Sequence, residues 1–244
     1  MGSAVAGRGS LDCPEAIDFR RVKVSKKRIL NVDAAYALKT PADSIRLYGE
    51  WAETYDRDFV ENVGYVSHLR IAELLLQRKS LIKGIVLDVG CGTGVVGERL
   101  REGGIKIVDG LDISPPMLVE AGKKKTQENE AVYRNLIAAD LTQRVDIADC
   151  QYGGLISAGT FTHGHLGPES LDELWRLAAS GAVCAIGVRS THYESANFGG
   201  KLSVDVANGV ITEPEIVEIK LYSEEASNLE HADDTALVVI CQIV

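Results

Sequence analysis

Residues 86–94 read Val-Leu-Asp-Val-Gly-Cys-Gly-Thr-Gly, an apolar run that ends in an acid and then places glycine at every second position. Few folds accept such a stretch. Its apolar start suits a strand buried on both faces, and Gly90, Gly92 and Gly94 turn the chain sharply into a helix from about Val95. In an open parallel sheet this turn lies at a strand's carboxyl end, where bare backbone is accessible to a ligand. About twenty residues on, Val108-Asp109-Gly110-Leu111-Asp112 closes a second strand with Asp112, placed to accept both hydrogen bonds of a ribose diol.

With these two, five strands are expected, at about Ile85 to Val89, Ile105 to Leu111, Val132 to Ala138, Gly154 to Ala158 and Val183 to Val188, with helices from about Val95, Pro115 and Pro168 between them. That alternation is the pattern of an α/β, doubly wound parallel sheet. Ile216 to Tyr222 and Leu237 to Ile243 have no helix between them and are expected to pair antiparallel. Upstream, Thr40, Pro41 and Asp43 read as an N-cap, a first-turn proline and a capping-box acid. The helix they open is expected to reach Glu61 with Ile45, Tyr48, Ala52, Tyr55 and Phe59 on one face; a second should span about Tyr65 to Gln77. Residues 41–80 thus form an expected helical cap on a domain at 81–244, preceded by a loosely attached arm at 1–40. The arm's basic cluster, Arg20 to Arg28, reads as solvated.

A net charge of −9 repels a phosphate backbone, so nucleic acid is not an expected partner. No apolar run approaches the roughly 18 residues of a membrane span, and Met-Gly-Ser-Ala-Val-Ala carries neither a signal core nor the acylation pattern, which needs Ser or Thr where Ala6 stands. A cytoplasmic chain is expected. The five cysteines lack CxxC spacing, which suits a reducing compartment, and His163-Gly164-His165 lacks a third ligand, so no metal is expected.

The glycine turn leaves a choice of cofactor, because Gly92-Thr93-Gly94-Val95-Val96-Gly97 also satisfies the GxGxxG of nicotinamide dinucleotide sites. Charge separates the two. A dinucleotide brings an anionic diphosphate to a turn that Asp88 and Glu98 flank without any Lys or Arg between them. S-adenosylmethionine brings an ammonium and a sulfonium, which a carboxylate favours. Tight strand-to-helix packing alone is the third reading.

This run resembles the class I S-adenosylmethionine-dependent methyltransferases, whose first motif is commonly V-L-D-x-G-C-G-T-G. Leu111-Asp112-Ile113-Ser114-Pro115-Pro116-Met117-Leu118 is similar to their L-D-x-S-x-x-M-L, and Ala139-Asp140-Leu141 to their segment after the third strand; the resemblance covers most of residues 84–190. It implies a Rossmann-like seven-stranded sheet with S-adenosyl-L-methionine as cofactor. It also implies Asp112 on the ribose, Ile113 and Met117 against adenine and Asp140 on the adenine amino group, with Asp88, Gly90, Cys91, Gly92, Leu141 and Ala158 completing the cofactor wall. More narrowly, Tyr48-x-x-Trp51-Ala52-x-x-Tyr55-Asp56-x-Asp58 resembles the Y-x-x-W-A-x-x-Y-D-x-D of the methyltransferase-like proteins named after the Williams-Beuren syndrome region. The loop Ala158-Gly159-Thr160-Phe161, with the Gly-His-Leu that follows, is similar to theirs.

Methyl transfer to a small-molecule acceptor is therefore expected, with a nicotinamide-dependent oxidoreductase and a catalytically idle cofactor-binding regulator as the other readings. The aromatic face of Tyr48, Trp51 and Tyr55 is expected to close over the methionine end of the cofactor. After strand four there is no Pro-Pro or Pro-Cys of the DNA enzymes, and no glutamate between Asp149 and Pro168 as protein-arginine enzymes require. The acceptor pocket is expected between Thr160 to His165 and His192 to Phe198, with His163 ahead of His165 as general base because it lies nearer the strand end.

Overall fold

The computed structural model describes residues 34–224 and 231–244, apart from Tyr36 and Lys39. Most of the expected arm, with its basic cluster, lies outside them. Thr40 caps helix α1 (Pro41–Trp51), its hydroxyl oxygen accepting the Asp43 N–H at 3.2 Å, as the capping pattern requires. The helix does not continue to Glu61. After a turn the chain forms a π-helical segment over Asp56–Glu61, and α2 covers Ser67–Leu76. The wider π turn re-aims the side chains beyond Tyr55: Phe59 is buried under the cap, while Asp56 points to the glycine turn.

Seven strands then form one sheet in the order β3-β2-β1-β4-β5-β7-β6. They are β1 (Val86–Val89), β2 (Val108–Asp112), β3 (Leu136–Ala138), β4 (Tyr152–Phe161), β5 (Ala178–Arg189), β6 (Glu215–Lys220) and β7 (Thr235–Gln242). The first five run parallel, with Val86 opposite both Val108 and Gly154. β7 lies antiparallel to β5 and to β6, so the antiparallel close expected of the last two strands holds. Their sequences differ as their positions demand: β7 carries the buried run Val238-Val239-Ile240-Cys241, whereas β6, at the edge, reads Glu-Ile-Val-Glu-Ile-Lys and has no buried residue.

Helices α3 (Val95–Glu102), α4 (Pro115–Lys123) and α5 (Leu171–Leu177) connect the parallel strands, and α6 (Ser190–Ser195) and α7 (Phe198–Ala207) follow β5. The sequence reading missed α7, although Phe198 and Leu202 show its helical spacing. One apolar cluster, including Leu87, Leu155 and Ile186, fills one face of the sheet; the other holds α2 and α3 through Ile71, Leu75 and Leu100. A third lies beneath α1, around Trp51, Phe59, Tyr65 and Met117.

Two expected elements are corrected here. The cap assigned to residues 41–80 is divided: α2 lies on the sheet, with Ile71 so close to Gly187 that a Cβ there would meet its Cδ1 at 2.4 Å. Only α1 and the π turn form the cap. The third strand begins at Leu136 rather than Val132, because the Tyr133 ring turns inward and Arg134 and Asn135 bend back to hold the buried Asp109 carboxylate. Among the described residues no helix is long and apolar enough to cross a membrane.

Candidate active site

The turn from β1 into α3 is built on three different demands for glycine. A Cβ on Gly90 would strike the Thr160 hydroxyl at 1.9 Å, and one on Gly94 or Gly97 would meet the Tyr133 ring at 2.8 and 2.3 Å. Those positions are fixed by packing. Gly92 is not: with φ of 52° it occupies the left-handed region, and nothing lies within 4 Å of where its Cβ would be. The GxGxxG match at Gly92, Gly94 and Gly97 thus owes two of its glycines to the Tyr133 ring, not to a diphosphate.

Gly92 borders a cavity of about 290 Å³ at the carboxyl edge of the sheet. Asp112, at the end of β2, faces it with both oxygens already oriented by backbone: Oδ2 accepts the Gly92 N–H at 2.9 Å and Oδ1 the Ser114 N–H at 2.8 Å. Each carboxylate oxygen has a second lone pair for a hydroxyl donor. Burial pushes the Asp112 pKa up, against these N–H groups. Ile113, Met117 and Leu141 supply an apolar surface, and Asp140 is fixed through Oδ1 by the Thr142 N–H and hydroxyl at 2.9 and 2.7 Å.

Among the described residues that line this cavity there is no Lys or Arg. Open backbone at Gly92, a carboxylate oriented for a diol and an apolar slot fit a nucleoside without a diphosphate, and so fit S-adenosylmethionine. Asp112 would hold the ribose, Ile113, Met117 and Leu141 the adenine face, and Asp140 its amino group.

The structure brings Tyr48, Tyr55, Gly90, Gly92, Asp112, Ile113, Met117, Asp140, Leu141, Ala158 and His165 to this one cavity. Three other expected wall residues lie elsewhere. Trp51 borders a second, inner cavity. Asp88 is fully buried and accepts the Tyr133 hydroxyl at 2.7 Å, behind the turn rather than in front of it. Cys91 packs its sulfur against Gly110, and burial beside Asp88 and Asp112 raises its thiol pKa, which leaves it inert. Sequence reasoning did not foresee Pro41, Ser44 or Thr142 in the wall. Ser44 and Pro41 lie one and two helical turns before Tyr48 and were legible by spacing; Thr142 had no signal.

The two histidines exchange rank. His163 turns toward α6, its Nε2 at 3.0 Å from the Thr191 hydroxyl and its ring edge-on to His192 at 4.9 Å, and it borders neither cavity. His165 borders both. Its Nδ1 lies 3.2 Å from the His163 carbonyl and its Nε2 3.0 Å from the Tyr48 hydroxyl. A carbonyl only accepts, so Nδ1 carries the proton, and the Nε2 lone pair accepts from Tyr48. Burial lowers the His165 pKa and keeps the ring neutral. The segment His192 to Phe198 forms no wall: the His192 ring bonds the Leu166 carbonyl, and Tyr193 stacks on Phe198.

The cap is tied to the turn. Asp56 accepts the Thr93 hydroxyl at 2.5 Å and pairs with Lys124 at 3.0 Å, and Lys124 also pairs with Glu98 at 2.9 Å.

A family model described as a methyltransferase domain matches residues 86–181. Methyltransferase-like protein 27 of Homo sapiens is 28% identical over 156 residues, 63% of this chain and 61% of that protein. The match thus spans about three fifths of the curated relative. The N-methyltransferase NodS from Bradyrhizobium japonicum, solved with S-adenosyl-L-homocysteine, has a similar fold: TM-score 0.57 at 17% identity, over 80% of this chain and 96% of that one. So does a structure described as a complex between the Haloferax volcanii Trm112 methyltransferase activator and the putative methyltransferase, with TM-score 0.54 at 17% identity over 81% and 98%.

Proposed function

We propose that this chain, a class I S-adenosylmethionine-dependent methyltransferase in fold and motif, passes a methyl group to a small-molecule acceptor at the carboxyl edge of its sheet. The observation that carries the reading is the outer cavity, where Asp112 and Asp140 stand over an apolar slot and open backbone at Gly92, without a cation among the described lining residues. When bound, S-adenosylmethionine supplies an electrophilic methyl on a positively charged sulfur. The chain's own task is alignment and exclusion of water, which is worth about 7–11 kcal/mol in a well-oriented pair. Asp112 orients the nucleoside and α1 covers the site. A covered cleft and a net charge of −9 favour a small acceptor over a nucleic acid.

His165 is the base in this reading, since its Nε2 lone pair stands where the two cavities meet and its ring is neutral. The test is incubation with methyl-labelled cofactor and a metabolite extract, followed by comparison of variants on the acceptor that takes label. His165→Ala should lose about 10²- to 10⁴-fold in turnover, with S-adenosylhomocysteine affinity within about twofold of wild type. His163→Ala should turn over normally. Label found only in protein or nucleic acid would contradict the small-molecule reading, and full turnover by His165→Ala would remove the base.

A further inference from the structure

Both ring nitrogens of His165 are already engaged. Nδ1–H donates to the His163 carbonyl at 3.2 Å, and Nε2 accepts the Tyr48 hydroxyl at 3.0 Å. The second bond joins two separate elements, since Tyr48 belongs to α1 and His165 to the loop after β4. Packing holds both partners. Tyr48 stands edge-on to Trp51 at 5.7 Å and to Tyr55 at 6.4 Å, and its ring lies 5.6 Å from that of His165. Gly164, at φ 79°, lies so close to the chain before α1 that a Cβ there would strike the Leu38 carbonyl oxygen. The loop and the start of the cap therefore meet backbone to backbone, one residue from His165.

Among the described residues that line the outer cavity, the titratable side chains are Tyr48, Tyr55, Asp112, Asp140 and His165. Asp112 and Asp140 are oriented by backbone N–H groups, in the places that suit a nucleoside. Burial pushes the Tyr55 pKa well up, so its hydroxyl keeps its proton. Burial lowers the His165 pKa, so its ring is neutral and able to take a proton. Any such proton must pass the group that occupies Nε2. That group is the Tyr48 hydroxyl, whose oxygen can accept one proton while it donates another.

We infer that Tyr48 is the catalytic residue that meets the acceptor, its hydroxyl taking the acceptor's proton while passing its own to His165; the inference rests on the methyl-transfer reading above. His165 then acts through Tyr48, as its positioning residue and proton store. The acceptor is a neutral molecule with a proton on its attacking atom. That proton bonds the Tyr48 oxygen as the Tyr48 proton bonds Nε2 of His165. A lone pair of the attacking atom bonds the methyl carbon, and the pair of the breaking carbon–sulfur bond goes to sulfur. Products are the methylated acceptor, a neutral thioether and an imidazolium that returns its proton to water. Because α1 carries one half of the pair and the loop the other, the base is complete only with the cap in place.

The test uses the full chain with methyl-labelled S-adenosylmethionine and a metabolite extract, reading the rate at which label enters the small-molecule fraction. Tyr48→Phe, His165→Ala and the double variant are compared, with S-adenosylhomocysteine affinity measured by calorimetry in each. Tyr48→Phe keeps the ring and should lose about 100-fold or more, as His165→Ala does. The double variant should lie within about threefold of either single one, because both break one proton path. All should bind S-adenosylhomocysteine within about twofold of wild type. The pH profile adds a readout that packing alone does not move. His165, faced by Tyr48 of α1, His163 of its own loop and His192 of α6, must be neutral to act, so the wild-type rate should fall as pH drops below 6.5. The residual rate of Tyr48→Phe should lack this limb. Turnover by Tyr48→Phe within about threefold of wild type, additive losses in the double variant, a retained limb, or cofactor affinity that falls as far as turnover would overturn the inference and leave methyl transfer standing. Wild type that labels no small molecule would overturn both.

Discussion

Asp88 has no exposed surface; one carboxylate oxygen accepts the Tyr133 hydroxyl and the other has no hydrogen-bond partner among the described residues. Burial raises its pKa to about 7, so between pH 3.8 and 7 the folded chain keeps a proton that the unfolded chain has lost. The stability tied to this group is therefore present at acid pH and lost as pH rises through 7. His68, stacked on Tyr65, runs the other way. Burial lowers its pKa to about 4, so between pH 6.5 and 4 only the unfolded chain takes up the proton. Its stability is full above pH 6.5 and falls by about 3 kcal/mol toward pH 4. The two opposing slopes flatten the acid profile. Asp88→Asn removes one of them, so its unfolding free energy in urea should fall steeply from pH 6.5 to 4.5 while wild type changes little. Parallel profiles would show that Asp88 does not hold the proton assigned to it.

At the scale of elements, the contact from the π turn to the glycine turn is the feature most open to test. Asp56→Ala removes the acceptor of the buried Thr93 hydroxyl and one partner of Lys124. The loss of a charge-assisted bond at about 1.5–3 kcal/mol should weaken S-adenosylhomocysteine binding roughly ten- to a hundredfold by calorimetry and expose α1 to limited proteolysis. Unchanged affinity with unchanged proteolysis would leave the cap independent of the turn. Local codes such as the capping pattern of Thr40 and Asp43 were legible in the sequence. The π turn was not, because Tyr55 and Phe59 keep a helical spacing whether the turn is tight or wide. Nor was the short β3 legible: Val132 and Tyr133 read as strand, and only the space left by Gly94, Gly97 and Gly110 shows why the ring turns inward. Asp56 meets Thr93 across 37 positions, a distance at which spacing carries no signal.

Across the whole molecule, the buried strands and the antiparallel close were legible because each buried strand writes its own apolar run. The cavity-lining residues were legible where they stand at or just after a strand end, as Asp112 and Asp140 do. The residues behind the wall were not: Asp88 and Asp112 both lie at the carboxyl ends of strands, Asp88 one residue before the last, and only the fold puts one behind the turn and the other before the cavity. His163 and His165 illustrate the same limit, since nearness to the strand end favours His163, which borders neither cavity, over His165, which borders both. The central claim is that this cavity holds S-adenosylmethionine through Asp112. Calorimetric titration with S-adenosylhomocysteine and with NAD, on wild type and on Asp112→Ala, tests it most directly. Wild type should bind S-adenosylhomocysteine and not NAD, and Asp112→Ala should bind it at least tenfold more weakly, a loss of about 1.4 kcal/mol or more. NAD binding by wild type, or an Asp112→Ala affinity within about twofold of wild type, would contradict the account.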